Sequence, residues 1–234
     1  MIDLPILKNI MAEIRENDDL LDSLSPNQFN TKLKLVEAIN KLDFLNKDSK
    51  IVIFGSWYGS ILIPAFYHKV KQIVCVDTDA QVVSRSKYRI FPDWNIDWIT
   101  GDVFEKYRDQ YDGVDLFINT SCEHMKPMKE WGPAPIMKNP WWGRTTPTHF
   151  AFTSNNMFDI EGHINCVDNI EDFKKQLPSN ATVLSEEKVT DYRGTRFIIV
   201  GKMEGSPDPI MSWEEAKNEK NNIYNINHMG TYYS

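Results

Sequence analysis

The sequence predicts an α/β protein with a mostly parallel seven-stranded sheet, helices on both faces and an antiparallel last strand. Three observations carry this prediction. Short apolar runs alternate with helix-like segments along most of the chain. A glycine turn follows the first apolar run, and an acidic residue, Asp77, ends the second. The last two runs are joined only by Asp191–Gly194, which is short enough for a hairpin and therefore reverses the final strand.

Two helices are predicted before the first strand. Apolar residues recur at helical spacing from Ile6 to Leu24, with charged residues between them. The segment Ser25-Pro26-Asn27 breaks this pattern. Asn30 or Thr31 can cap a second helix that continues through residue 42.

Strands and helices then alternate towards the C-terminus. Strands are predicted at residues 51–54, 72–77, 96–100, 114–119, 149–153, 182–188 and 195–202. Helices are predicted at residues 61–69, 80–89, 104–111 and 170–176. Residues 125–147 are rich in proline and tryptophan, which indicates an irregular insertion. This insertion is either a rigid surface loop or one wall of a substrate pocket.

The chain is predicted to have three parts. Residues 1–45 form an N-terminal helical extension, and residues 46–202 form the α/β domain. Residues 203–234 are polar and rich in asparagine, so they are expected to form a C-terminal tail.

The glycine turn after the first strand predicts a nucleotide-like ligand. Gly55 and Gly59 bracket the turn, a helix follows, and Asp77 comes 22 residues after Gly55. Such a unit places backbone N–H groups and a helix N-terminus beside the ligand, and a carboxylate where it can accept hydrogen bonds from both ribose hydroxyls. Trp57 stands where a dinucleotide-binding turn has its middle glycine, and its indole would obstruct a pyrophosphate.

The pattern Gly55-x-Trp57-x-Gly59 resembles motif I of the class I S-adenosylmethionine (SAM)-dependent methyltransferases, whose usual form is acidic-x-Gly-x-Gly-x-Gly. Ile53 replaces the usual acid, and Trp57 replaces the middle glycine. The resemblance extends over residues 30–202 and includes the terminal hairpin. It implies a Rossmann-like methyltransferase sandwich, SAM as the cofactor and methyl transfer as the activity.

The resemblance also implies roles for individual residues. Asp77 would bind the ribose, or else cap the next helix, for which Asp79 is the alternative cap. Asp102 would contact the adenine amino group with Val103 beside it, or cap a helix of its own. Trp57 would cover the methionine part of SAM or pack against the N-terminal helices. The predicted cofactor-binding residues are Gly55, Ser56, Trp57, Gly59, Asp77, Thr78, Asp102, Val103 and Asn119.

Residues Thr120–His124 follow the fourth strand and are the candidates for catalysis. The imidazole of His124 exchanges protons near neutral pH, so it is predicted to accept a proton from a substrate hydroxyl or amine. Glu123 would orient His124 or bind a substrate cation. The alternative is that both residues begin a helix and face water.

Five side chains of the second half offer ligand atoms for a metal ion. They are Cys122, His124, Glu161, His163 and Cys166. No pair among them has the Cys-x-x-Cys or His-x-x-x-His spacing of a strong site. The sequence therefore predicts no metal.

Composition limits the partners and the compartment. The net charge is −7, and no cluster of Lys and Arg is present, so nucleic-acid binding is unlikely and a small-molecule substrate is expected. No apolar run approaches the length of about 18 residues that a membrane span needs. The N-terminus lacks the pattern of a secretion signal. The three cysteines are an odd number and Cys75 lies within a predicted buried strand, which favours a cytoplasmic protein.

Two other function classes remain open. A protein with the same sheet could bind SAM without transferring its methyl group, either as a regulator or by cleaving SAM. The altered motif I leaves this alternative open. A nicotinamide-dependent oxidoreductase is the other. The missing middle glycine and the terminal hairpin both count against it.

Overall fold

The computed structural model describes residues 3–104, 113–131 and 147–203. Its strands are β1 Lys50–Phe54, β2 Gln72–Asp77, β3 Asp97–Thr100, β4 Leu116–Asn119, β5 Thr148–Asn155, β6 Ala181–Thr190 and β7 Thr195–Met203. Its helices are α1 Leu4–Ile14, α2 Asp18–Ser23, α3 Pro26–Lys41, α4 Leu62–Phe66, α5 Ala80–Arg85 and α6 Ile170–Lys174.

All seven strands form one sheet in the order β3-β2-β1-β4-β5-β7-β6. The pairs that involve β1 to β5 alone are parallel. Strand β7 is antiparallel to both β5 and β6. The predicted fold, with its hairpin and its antiparallel last strand, is confirmed. The strand order reverses between β1 and β4, which is where ligands bind in open α/β sheets.

Each face of the sheet has its own core. Alternate residues of β1 explain this division, because Ile51 and Ile53 point to one face while Val52 and Phe54 point to the other. The first face is covered by α1 to α5 through Leu35, Phe66 and other apolar residues. The second face is covered by α6 and the segment after β4. Its main buried side chains are Met128, Trp131, Phe173 and Leu177.

The N-terminal region differs from its prediction in two places. The amphipathic stretch is divided into α1 and α2, because Asn17 adopts an extended backbone and its side chain accepts a hydrogen bond from the Leu20 N–H at 3.2 Å. Helix α3 begins at Pro26 with Ser25 at its N-cap position, five residues before the nearer predicted cap, Asn30. A proline fits the first turn of a helix, since its missing N–H has no partner there.

Hydrogen bonds of charged side chains help to hold the helical extension on the α/β domain. The buried Glu13 of α1 accepts hydrogen bonds from Arg85 at 3.2 Å and Arg89 at 3.0 Å. Arg89 lies in the π-helical turn that continues α5. Arg196 of β7 donates to Asn27 Oδ1 of α3 at 3.1 Å. These contacts place α2 and α3 over the carboxyl ends of the central strands.

Within the described residues, no helix has both the length and the apolar character needed to cross a bilayer. The predicted helix at 104–111 lies almost wholly outside them, as do most of the 125–147 insertion and the C-terminal tail after Met203.

Candidate active site

A cavity of about 650 Å³ opens at the carboxyl ends of β1 to β4. Its volume falls in the range of small-molecule sites. One end lies among the turns that follow β1, β2 and β3. The other end lies between the N-terminal helices and the segments after β4 and β5. We call the first the nucleoside end and the second the polar end. Of the predicted residues, the cavity is lined by Gly55, Trp57, Asp77, Thr78, Asp102, Val103, Glu123 and His124.

The turn after β1 is built on left-handed backbone conformations. Gly55, Trp57 and Gly59 have φ angles of 53°, 47° and 62°. A Cβ on Gly59 would lie 2.8 Å from Cγ1 of Ile63, so this glycine lets α4 approach the turn. Trp57 tolerates a conformation that a bulky residue rarely adopts because its backbone N–H is tied to Asp77.

Asp77 connects the turn after β1 with the turn after β2. Its Oδ2 accepts from the Trp57 N–H at 2.7 Å, and its Oδ1 accepts from the Asp79 N–H at 3.0 Å. The cap of α5 is Asp79, whose side chain accepts from Gln81 and Val82, so Asp77 does not serve as the cap. Each carboxylate oxygen accepts one backbone hydrogen bond and keeps capacity for a second. Burial raises the pKa of the Asp77 carboxyl, and the two backbone N–H groups oppose that shift.

Trp57 packs against the N-terminal helices, which is one of the two alternatives that its sequence position left open. Its indole Nε1 donates to Asp19 of α2 at 2.9 Å, so the ring does contact the N-terminal helices. The ammonium of Lys32 lies 5.1 Å from the ring centroid. The same side chain also lines the cavity. Whether it covers the methionine part of a bound cofactor stays a prediction.

Asp102 and Val103 lie at the nucleoside end. Asp102 Oδ1 accepts from the Phe104 N–H at 2.8 Å, which closes a local turn. Val103 is buried, and its carbonyl accepts from the indole of Trp131 at 2.9 Å.

Three predicted cofactor residues lie beside the cavity and do not line it. They are Ser56, Gly59 and Asn119. Asn119 is fully buried, and its Oδ1 accepts from the Ser121 N–H at 2.9 Å. The backbone N–H of Ser56 donates to Val76 O at 3.1 Å. These residues shape the two turns on which the lining residues lie.

The polar end contains a buried ion pair. Glu123 and Arg196 have side chains that are 4% and 7% exposed, and their closest atoms, Oε1 and Nη1, are 3.5 Å apart. Oε2 of Glu123 is buried and has no hydrogen-bond partner among the described residues. Burial raises the pKa of the Glu123 carboxyl, and the nearby Arg196 opposes the shift. The predicted alternative of a water-facing Glu123 is therefore wrong.

His124 lies on the outer side of this pair and is exposed. Its ring meets that of His163 edge to face, with centroids 4.6 Å apart. Nδ1 of His124 lies 3.0 Å from the Gly162 carbonyl, and Nδ1 of His163 lies 2.9 Å from the Met157 carbonyl. Burial lowers the pKa of His163, and His124 lowers it further.

Solved structures with the same architecture are numerous, although no protein-family model and no curated protein matches the chain. The N-methyltransferase NodS from Bradyrhizobium japonicum WM9, in complex with S-adenosyl-L-homocysteine (SAH), superposes with a TM-score of 0.61 and 14% identity. The match covers 86% of this chain and 99% of NodS. The chain has the class I methyltransferase fold.

Two further structures support this assignment of the fold. Magnesium protoporphyrin IX methyltransferase from Synechocystis PCC 6803, with bound SAH, has a TM-score of 0.57 and 11% identity, and the match covers 76% of this chain and 84% of the enzyme. A SAM-dependent methyltransferase from Clostridium acetobutylicum ATCC 824 has a TM-score of 0.56 and 12% identity, and the match covers 85% of this chain and all of the other. At identities of 11–14% these matches assign the fold alone.

Sequence reasoning missed Lys32 and Arg196, two buried cations at the polar end of this methyltransferase fold. Both come from elements that are distant in the chain from the strand ends, on α3 and β7. Burial, together with the charge of Arg196, lowers the pKa of Lys32 from 10.5 to about 8, against the opposing effects of Glu123 and Asp22. Within the described residues Lys32 has no ion pair that would compensate for its burial.

Lys32→Met is expected to stabilise the protein by about 1–3 kcal/mol at neutral pH, because burying the charged amine costs about 1.4 kcal/mol per pKa unit. Between pH 8 and 10.5 the unfolded chain binds a proton at Lys32 that the folded chain does not. The stability of the unsubstituted protein should therefore rise with pH in that window, and below it the destabilisation by Lys32 should be complete and independent of pH. Urea denaturation of both proteins as a function of pH measures this difference. An equal pH dependence in Lys32→Met would contradict it.

Proposed function

We propose that this protein transfers a methyl group from SAM to a small-molecule acceptor that carries an anionic group. The observation that carries the proposal is the Asp77 carboxylate at the end of β2, next to β1, the strand that borders the switch point of the sheet. It is held beside the Gly55 turn and faces a cavity whose other end is polar. This arrangement supports a nucleoside at one end and an acceptor at the other.

The nucleoside end fits SAM in shape and chemistry. Asp77 keeps one accepting position on each oxygen, which matches the two hydroxyls of a ribose. Gly55 leaves the floor of the cavity without a side chain. Val103 offers an apolar surface and Asp102 an acceptor for an adenine. Trp57 also lines the cavity, and an aromatic face attracts a cation by about 0.5–2 kcal/mol. The ammonium of Lys32 already lies 5.1 Å from the ring centroid, so a sulfonium would share the ring with it.

The polar end fits an acidic acceptor. Four positively charged side chains belong to the lining, against the carboxylates of Asp22 and Glu123 at this end. They are Lys32, Lys126, Arg193 and Arg196. A buried cation without a counter-ion is costly. An acceptor with a carboxylate or a phosphate would offset that cost at Lys32.

The chemistry asks little of the protein beyond alignment and proton removal. SAM, when bound, supplies a methyl carbon that its sulfonium sulfur makes electrophilic. The acceptor lone pair forms the new bond to that carbon, the electrons of the C–S bond pass to sulfur, and SAH leaves. The polar end must hold the acceptor atom in line with the C–S bond and exclude water. His124 lies at the polar end where it could take the acceptor proton, with Glu123 beside it.

Asp77→Ala is expected to weaken SAM binding by about 1.5–3 kcal/mol, the range for hydrogen bonds to a charged group. Isothermal titration calorimetry with SAM and with SAH measures the change. Asp97→Ala is the matched control, because it removes the same charge from the amino end of β3, whereas Asp77 lies at the carboxyl end of the neighbouring β2. If Asp77→Ala and the unsubstituted protein bound SAM with equal affinity, Asp77 would not be part of the SAM site. Binding of NAD in place of SAM would favour an oxidoreductase.

A further inference from the structure

Glu123, His124 and His163 converge at the polar end of the cavity. One ligand atom from each lies within 4.8 Å of the other two. Three ligands that hold one tetrahedral ion at about 2.0–2.2 Å stand about 3.4 Å apart. The three side chains therefore need to close by up to about 1.4 Å to share one ion, a movement that rotation of the side chains can supply.

Both imidazoles are oriented as metal ligands usually are. A carbonyl oxygen only accepts hydrogen bonds, so Nδ1 of His124 must donate to Gly162 and Nδ1 of His163 must donate to Met157. That assigns the ring proton to Nδ1 and leaves a lone pair on Nε2 in each neutral ring. Metal-binding histidines almost always donate their second nitrogen to a carbonyl or a carboxylate in this way, which fixes the tautomer and the ring orientation.

The carboxylate supplies an independent sign of a missing ligand. Oε1 of Glu123 faces Arg196, whereas Oε2 is buried and has no partner at hydrogen-bond distance among the described residues. The amide nitrogen of Asn155, which also has no such partner, is close enough to lower the pKa of Glu123 and is the protein donor that competes with an ion. A buried acceptor left without a partner is unfavourable. An ion held between Glu123 and the two imidazoles would satisfy this oxygen.

We propose that Glu123, His124 and His163 bind one divalent transition-metal ion. Two imidazoles and one carboxylate favour ions such as Zn²⁺, Fe²⁺ or Co²⁺ over Mg²⁺ and Ca²⁺, which prefer oxygen ligands. All three residues line the cavity, and His124 is exposed, so coordination positions remain open towards an acceptor. Sites with three protein ligands and an open position are typical of catalytic metals.

The ion would define the acceptor more closely, and this step rests on the proposed function. A hydroxyl oxygen bound to a divalent cation loses its proton more readily, as metal-bound water does. The proton passes to solvent, and the resulting alkoxide or phenolate keeps the electron pair that attacks the methyl carbon. His124 then acts as a ligand and not as the base. The acceptor class is a hydroxyl compound that bears an anionic group, and the product is its methyl ether.

Metal binding can be tested without an acceptor and without SAM. Untagged, full-length protein is stripped with a chelator, dialysed, and titrated with Co²⁺ while the visible absorption and the bound metal are measured. One equivalent should bind per chain with a ligand-field band. His163→Ala and Glu123→Gln should each weaken binding by tenfold or more, since even outer-shell changes cost about 10–100-fold. His68→Ala, which removes an exposed histidine next to α4, should bind as the unsubstituted protein does.

Three results would overturn the site. The first is that the protein does not bind Co²⁺ stoichiometrically. The second is that His68→Ala loses as much affinity for Co²⁺ as His163→Ala does. The third is that His163→Ala and Glu123→Gln both bind Co²⁺ as the unsubstituted protein does. His163→Gln, which keeps the volume of the side chain, repeats the test if His163→Ala does not fold by circular dichroism. Calorimetry with SAM on the same samples separates the two proposals. Metal binding without SAM binding would contradict the proposed function and support the metal site. SAM binding without metal binding would contradict the metal site and leave the proposed function standing.

Discussion

Gly55→Val is expected to abolish SAM binding while the protein stays folded. A Cβ on Gly55 would lie 2.8 Å from Cε of Met125 and 3.0 Å from Cβ of Ser121, and both of these residues line the cavity. A side chain at this position either displaces them into the cavity or enters it directly. The ligand also needs close approach to the backbone here, which only glycine allows. We expect a loss of at least about 100-fold in affinity, or about 2.7 kcal/mol, by calorimetry with SAM.

Backbone strain must be separated from loss of space in this experiment. Gly55 has a φ of 53°, where a β-branched residue is strained whatever surrounds it. Gly113→Val is the matched control, because Gly113 has a φ of 73° and its Cβ would meet no described atom within 4 Å. Both variants should lose stability to urea, and only Gly55→Val should lose SAM. Normal SAM binding by Gly55→Val would show that the turn is structural only.

The nucleoside end could be predicted from the sequence because its signals are local. The distance from Gly55 to Asp77 along the chain is that of one strand, one turn and one helix, so the spacing itself indicates a βαβ unit. The hairpin at Asp191–Gly194 is local for the same reason. These short-range features were sufficient to predict the fold and its switch point.

Side chains at the polar end come from elements far apart in the chain. Arg196 meets Glu123 across 73 residues, and Lys32 reaches the same region from α3. His163 follows β5, yet its ring contacts His124 after β4 because these two strands are neighbours in the sheet. Residue spacing carries no information about such pairs, so the cluster of Glu123 with two histidines could not be predicted.

Local signals also explain where helix boundaries were missed. The apolar spacing across α1 and α2 continues through the break, so periodicity alone predicts one helix. The break is set by the side chain of Asn17, which also donates to Tyr58 Oη at 2.8 Å. That contact links α2 to the turn after β1, and tertiary structure here decides where a helix begins.

Arg196→Met is expected to destabilise the protein by about 3–5 kcal/mol, the cost of removing one partner of a buried ion pair. The variant leaves the Glu123 carboxylate buried without its cation, and it also removes the 3.1 Å hydrogen bond from Arg196 to Asn27 that connects β7 with α3. Urea denaturation at neutral pH in the presence of a chelator measures the stability of the metal-free protein.

A double-mutant cycle measures how much of the stability lost in Arg196→Met comes from leaving the Glu123 carboxylate buried without a cation. In Glu123→Gln with Arg196→Met the buried group at position 123 is neutral, so the double variant should be more stable than Arg196→Met alone. Arg193→Met is the control for loss of a positive charge at the same end of the cavity. Its side chain is exposed on the hairpin, and its substitution should change stability by no more than about 0.5 kcal/mol. If Arg196→Met cost no more than Arg193→Met, the 3.5 Å contact with Glu123 would contribute nothing to the fold, and Glu123 would have to be held in place by its backbone alone.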